Sequence, residues 1–149
     1  MEIRSSSVVY LAADHRGFVL KEALKKYLSG EGFSVVDCGA HELKLDDDYP
    51  DFAQALAWKV AGDSGSRGIA ICGSGIGMAI AANKIRGVRA AVSRVASDVR
   101  VARNDEDINV LCLGSDHMDA DQAEKIVGAF LSVPASREER HMRRRMKLE

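Results

Sequence analysis

Two kinds of hydrophobic pattern alternate along this chain. Ser7 to Ala13 (SVVYLAA) is a short apolar run rich in β-branched residues and ended by Asp14, the pattern of a strand buried on both faces. From Phe18 to Leu28 the apolar positions Leu20, Leu24 and Leu28, flanked by Ala23 and Tyr27, recur at helical spacing with lysines on the other face, and Gly30 follows as a stop. The alternation continues, with strands expected over Ser34 to Cys38, Gly68 to Cys72, Ala90 to Val92 and Val110 to Leu113. Helices are expected over Asp51 to Gly62, Met78 to Ile85, Ser97 to Asn104 and Asp119 to Leu131. Strands alternating with helices imply a parallel sheet, and right-handed crossovers cover both of its faces. The fold class is therefore α/β, a three-layer α/β/α sandwich of about five strands, with ligands expected at the carboxyl ends of the strands.

Length and composition narrow this further. The 149 residues, 46% of them hydrophobic, are enough for one core and read as a single domain over residues 1–149. A net charge of −1 gives no general attraction to nucleic acid. No apolar run approaches the roughly 18 residues needed to cross a bilayer. Met1 to Ser7 lacks the apolar core of a secretory signal, so a soluble cytoplasmic protein is expected. Cys38, Cys72 and Cys112 form no CxxC pair and read as reduced thiols with no zinc site. The charge is uneven. Arg137 to Glu149 holds six Lys or Arg against three Glu, +3 locally, which leaves −4 for Met1 to Ser136. Ser136 with Glu139 fits a capping box, so residues 136–149 read as a basic C-terminal helix. Phe52, Ala55, Leu56 and Val60 read as core, while Trp58, His41 and His117 have no identifiable role.

The most informative stretch is Cys72 to Lys84, CGSGIGMAIAANK: a strand ending in cysteine, a loop with Gly73, Gly75 and Gly77, then a small-residue helix. Consecutive backbone N–H groups in such a turn form a positive concavity for a phosphate, carboxylate or enolate oxygen. The stretch is not a P-loop, lacking the Lys-Ser/Thr ending. Nor is it G-x-G-x-x-G, because Met78 and Ile80 stand where the third glycine would fall, so no dinucleotide site is expected. A thiol just ahead of a helix N-terminus is favoured as thiolate, which makes Cys72 a candidate base or nucleophile against the alternative of a small buried hydrophobe. Cys38 and Cys112 lack that neighbourhood and read as structural. Asp14 and His15 follow the first strand and so share the carboxyl-end rim with Cys72; the alternatives are a helix cap and a solvated loop residue. Ser74 is either a turn residue or a hydroxyl donor to an oxygen held in the loop. Arg140 and Arg144, four apart, can clamp a phosphate or form a solvated basic face. Nucleic-acid binding by this tail has weak support without an aromatic platform.

Taken together, DH (Asp14, His15), DYP (Asp48, Tyr49, Pro50), CGSGIG with IAANK, NVL-LGS and the final RHMRR resemble the ribose-5-phosphate isomerase B family, which includes related isomerases of hexose 6-phosphates. The resemblance covers nearly the whole chain. It implies a Rossmann-like α/β/α fold, an aldose–ketose isomerisation without metal or other cofactor, and homodimers or dimers of dimers with shared active sites. It also implies that Cys72 is the base that forms a cis-enediolate. Gly73, Gly75, Ile76 and Gly77 would hold the enediolate oxygens with Ser74. Asp14, His15 and Tyr49 would contact the sugar phosphate, and Arg140 and Arg144 would bind its phosphate. Three positions depart from the family: its ring-opening His-Asn pair falls on Asp105 and Glu106, and a phosphate-holding arginine is replaced by Asp116. Two readings follow for Asp105. It can carry the ring proton beside the like charge of Glu106, or the chain can take open-chain sugar phosphates that need no ring opening. The expected substrate is ribose 5-phosphate with ribulose 5-phosphate. The alternatives are a hexose 6-phosphate, a tetrose phosphate or a non-catalytic sugar-phosphate sensor.

Overall fold

The computed structural model describes residues 7–149. The reading of Met1 to Ser7 as lacking a secretory core lies, Ser7 apart, outside these residues. Five strands, β1 (Val8–Ala13), β2 (Ser34–Asp37), β3 (Arg67–Cys72), β4 (Ala90–Val92) and β5 (Val110–Gly114), form one parallel sheet in the order β2-β1-β3-β5-β4. Six helices accompany them: α1 (Phe18–Gly30), α2 (Tyr49–Ala61), α3 (Ile76–Ala82), α4 (Ala96–Glu106), α5 (Ala120–Ser132) and α6 (Glu139–Met146). No helix among the described residues is long and apolar enough to cross a membrane.

The pleat of the sheet sorts side chains into two cores. Val9, Leu11, Ile69, Ile71, Leu111 and Leu113 face one way and pack with Leu20, Leu24 and Leu28 of α1, Val99 of α4 and Ile126, Val127 and Phe130 of α5. Ala12, Ala70, Cys72, Val110 and Cys112 face the other way and pack with Ala53, Leu56 and Val60 of α2 and Met78 and Ala81 of α3. The expected three-layer sandwich is thus formed, and Cys72 projects toward the α2/α3 layer. Every residue of β3 and β5 is buried, which is why both read as continuous apolar runs, whereas the edge strand β2 alternates between half-buried and exposed positions.

Several expectations shift in detail. Helix α2 begins at Tyr49, before the expected Asp51, because Pro50 supplies the fixed φ suited to a first turn. Helix α3 stops at Ala82, short of Ile85: Asn83 leaves the helix to bracket Ala90, donating to its carbonyl and accepting from its N–H, both at 2.8 Å. The Ser136/Glu139 capping box does not form. Glu138 takes the cap position, Ser136 Oγ accepts its N–H at 3.1 Å, and the Ser136 N–H donates to Asn104 O at 2.9 Å, so Ser136 ties the tail to α4. Ala55 is exposed, its expected core place being filled by Ala53 and Ala57. Lys21 does not share the solvated lysine face of α1. It is fully buried, and its Nζ donates to both Asp37 carboxylate oxygens, at 2.8 and 2.7 Å, and to Ala40 O at 2.5 Å.

Candidate active site

The carboxyl ends of β1, β3 and β5 converge on the glycine loop. Cys72 is 5% exposed at the end of β3, and the Gly75 N–H donates to its Sγ at 3.2 Å, where negative charge on sulfur would be held. Gly75 has φ of 80°, a left-handed conformation that glycine adopts without strain, and this turns its amide back toward the sulfur. The hydroxyl of Ser74 accepts the Ile76 N–H at 3.2 Å, so the turn role of Ser74 is realised. Tyr49, at the start of α2, lies on the loop: a Cβ added at Gly77 would come within 2.6 Å of its ring carbons. Helix α3 is only seven residues long, so individual amides of the loop, more than a long helix dipole, set its polarity.

Among the three thiols the surroundings differ. Burial, and then the nearby Cys72, push the Cys112 thiol far above the ordinary thiol range; burial, and then Asp37, push Cys38 upward. Both therefore stay protonated, as their structural reading requires. Cys72 is distinguished by the amide donor on its sulfur.

Asp14 and His15 arrive at this rim as expected. Asp14 is buried and its Oδ1 accepts from the Arg16 N–H at 3.0 Å and the Gly17 N–H at 3.1 Å, so it also orders the turn into α1. His15 is held by Asp47: its backbone N–H donates to Asp47 Oδ1 at 2.9 Å, and its Nδ1 lies 2.7 Å from the same oxygen. A carboxylate only accepts, so Nδ1 carries the proton and Nε2 is left for another partner. Asp14, His15 and Asp47 place ligand atoms within 4.8 Å of one another; His15 Nδ1 and one oxygen each of Asp14 and Asp47 are engaged, while Asp47 Oδ2 is buried with no hydrogen-bond partner among the described residues. Asp47 is a site residue that sequence reasoning missed; its only signal was the acidic run Asp46 to Asp48 before Tyr49. Arg16 and Asp116 were missed as a pair. They form an ion pair above the loop, where a Cβ at Gly73 would overlap the Arg16 guanidinium. Ser115 Oγ donates to Arg16 O at 2.7 Å and to Cys72 O at 3.3 Å, joining the ends of β3 and β5.

The other predicted residues are not brought to Cys72 within one chain. Val110 pairs with Gly68 at the start of β3, whereas Cys72 pairs with Gly114 at its end, roughly 13 Å away at about 3.3 Å per residue. Asp105 and Glu106 close α4 on the Val110 side, where Arg89 Nε donates to the Glu106 carbonyl at 3.2 Å. Asp105 faces its own α6: its Oδ1 is 3.7 Å from Nε2 of the buried His141, and its carbonyl accepts from Arg145 Nε at 3.0 Å. Arg140 and Arg144 are exposed on α6, Arg140 donating to Glu138 at 2.8 Å. Within one chain the candidate residues thus fall into two groups, one at the carboxyl ends of the strands and one beyond the start of β5.

Comparison with known proteins shows the family and the fold. A model of the Ribose/Galactose Isomerase family matches residues 9–148. The chain is 40% identical over 136 residues to ribose-5-phosphate isomerase B of Mycobacterium tuberculosis, covering 91% of this chain and 84% of that protein. Among solved structures, ribose 5-phosphate isomerase B from Anaplasma phagocytophilum superposes with a TM-score of 0.91 at 36% identity, covering 100% of this chain and 99% of that one. The Mycoplasma genitalium ribose-5-phosphate isomerase B with bound ribulose-5-phosphate does so at 0.91 and 39%, covering 96% and 94%. With nearly its whole length matched by the family model, by a relative of this identity and by structures of the same topology, the chain belongs to the ribose/galactose isomerase family.

Proposed function

We propose that this protein is an aldose–ketose isomerase that interconverts ribose 5-phosphate and ribulose 5-phosphate, with Cys72 as the base. The observation that carries this is the Cys72 sulfur beside the Gly75 amide in a glycine loop at the carboxyl ends of the strands. The Cys72 thiolate takes the proton from C2 of the open-chain aldose, and the electron pair moves toward the carbonyl to give a cis-enediolate. The resulting thiol returns the proton to C1 while the O2 hydroxyl proton passes to O1, completing the ketose. The reaction moves a proton between neighbouring carbons and so requires no redox cofactor. The loop amides of Gly73 to Gly77 that are not engaged by Cys72 and Ser74, with the Ser74 hydroxyl, hold the oxygens on which charge develops, and a fixed donor of this kind is worth about 10²–10³ in rate. Asp14, His15 and Tyr49 position the sugar. A pinned phosphate orients the carbonyl end against the base.

The two groups of residues support a homodimer in which Arg140 and Arg144 of one protomer, with Asp105 and Glu106, complete the Cys72 site of the other. A dimer of dimers is compatible with the same contact. The whole chain works as one isomerase domain, in keeping with soluble metabolic enzymes of the cytoplasm. A second reading concerns the substrate. Asp105 is engaged by Asn104 and lies beside His141 and Arg145, which favours sugar phosphates supplied in open-chain form. Conversion of ribose 5-phosphate by the purified protein, compared with an obligately open-chain tetrose phosphate, tests both. Turnover of ribose 5-phosphate is expected; saturable binding of it with no turnover of either substrate would leave a sensor and overturn the isomerase.

A further inference from the structure

We infer that Arg16 is a phosphate-binding residue of this site and that Asp116 is the positioning residue that holds it there, an inference that rests on the sugar-phosphate reading above. Of the side chains named at the Cys72 rim, Asp14, Asp47 and Asp116 are acidic, and Arg16 carries the only permanent positive charge. A phosphomonoester brings a charge of roughly −2 near neutral pH. Within one protomer, three carboxylates and no cation would repel it. Arg16 supplies the missing charge from a fixed place. Its N–H donates to Asp14 Oδ1 at 3.0 Å and its carbonyl accepts from Ser115 Oγ at 2.7 Å, so the backbone is tied to the ends of both β1 and β5.

The side chain is also directed. Its guanidinium lies over Gly73, against backbone that only a glycine leaves open, and its Nη2 meets Asp116. Asp116 is in turn fixed to the loop, its N–H donating to Gly73 O at 3.1 Å. Among the described residues the guanidinium makes no other hydrogen bond, and the side chain is 54% exposed, so donors remain for a ligand arriving at the mouth of the loop. A planar fork held by a carboxylate on one side is suited to receiving phosphate on the other. The pair thus turns an acidic position beside the loop into the anchor of a cation.

The test uses inorganic phosphate as the probe, its dissociation constant measured by calorimetry, together with kcat and KM for ribose 5-phosphate. Arg16→Ala should weaken phosphate binding by about tenfold to a hundredfold, the range for a lost hydrogen bond to a charged group, and raise KM more than it lowers kcat. Arg16→Ala combined with Asp116→Arg returns a guanidinium to the same rim and should recover most of the phosphate affinity, which a purely structural role would not predict. Unchanged thermal unfolding midpoints would show that both variants fold. Phosphate binding unaffected by Arg16→Ala, or a fall in kcat with KM unchanged, would overturn the inference. Arg16-dependent phosphate binding in a protein that turns over no sugar phosphate would sustain it while overturning the isomerase reading.

Discussion

Cys72 and Asp105 lie at opposite ends of one sheet, Cys72 beside Gly114 where β5 finishes and Asp105 on the side where it begins. No side-chain motion spans that separation, so a site needing both draws them from different protomers. Mixing Cys72→Ala chains with Arg140→Ala/Arg144→Ala chains, each inactive alone, should restore about a quarter of full activity, since half of randomly paired dimers are mixed and each contains one intact site. Activity assays after subunit exchange would read this directly. Failure of a fully exchanged mixture to regain activity would mean that the two ends of the sheet do not share a site.

Gly75 is the second point of leverage. Replacing it with alanine sets a side chain at φ of 80° and brings the new Cβ within 2.8 Å of Val92 Cγ2 and 2.9 Å of the Leu113 carbonyl carbon, moving the amide that donates to Cys72. A rate loss of about 10²–10³ is expected, with about 1–3 kcal/mol of stability. Gly128→Ala is the control. Nothing lies within 4 Å of its added Cβ in α5, so it should stabilise by about 0.5–1 kcal/mol and leave the rate alone. Turnover and urea unfolding of the two variants compare them.

Stability in acid depends on Asp37. Burial pushes its carboxyl up, but Lys21, the Gly39 N–H and Lys25 together outweigh burial and hold it below the ordinary value of 3.8. A carboxyl lowered in the folded state stabilises above its ordinary value, and that contribution fades as pH falls through the lower native value. Unfolding free energy should therefore decline below about pH 4 in the unaltered protein. Asp37→Asn removes the nearer carboxylate from buried Lys21, leaving the half-exposed Glu22 at 3.3 Å, and should cost up to about 3–5 kcal/mol at neutral pH, with a smaller acid-dependent loss. Denaturant titrations across that pH range provide the measurement.

What could be read from the sequence divides along physical lines. The central strands were legible because full burial on both faces writes continuous apolar runs, and Cys72 because strand end, glycines and helix start are contiguous. Asp14 and His15 followed from sheet geometry alone. Contacts between distant segments left no local trace: Asp47 grips His15 from 32 residues away, and Asp116 grips Arg16 from 100. Lys21 looked like part of a solvated face because only the chain's return at Asp37 turns its position into a buried one. Arg140 carries the family pattern and Asp105 departs from it, yet no periodicity reveals that Asp105 sits at the far end of the sheet from Cys72.

In the proposed reaction Cys72 moves the proton. Ribulose 5-phosphate incubated with the protein in heavy water, with deuterium followed at C1 by NMR, tests it, with Cys72→Ala run in parallel and binding of ribulose 5-phosphate checked by calorimetry. Exchange and isomerisation are expected in the unaltered protein and neither in Cys72→Ala, with ligand affinity nearly unchanged. Exchange at an undiminished rate in Cys72→Ala would place the base at another residue.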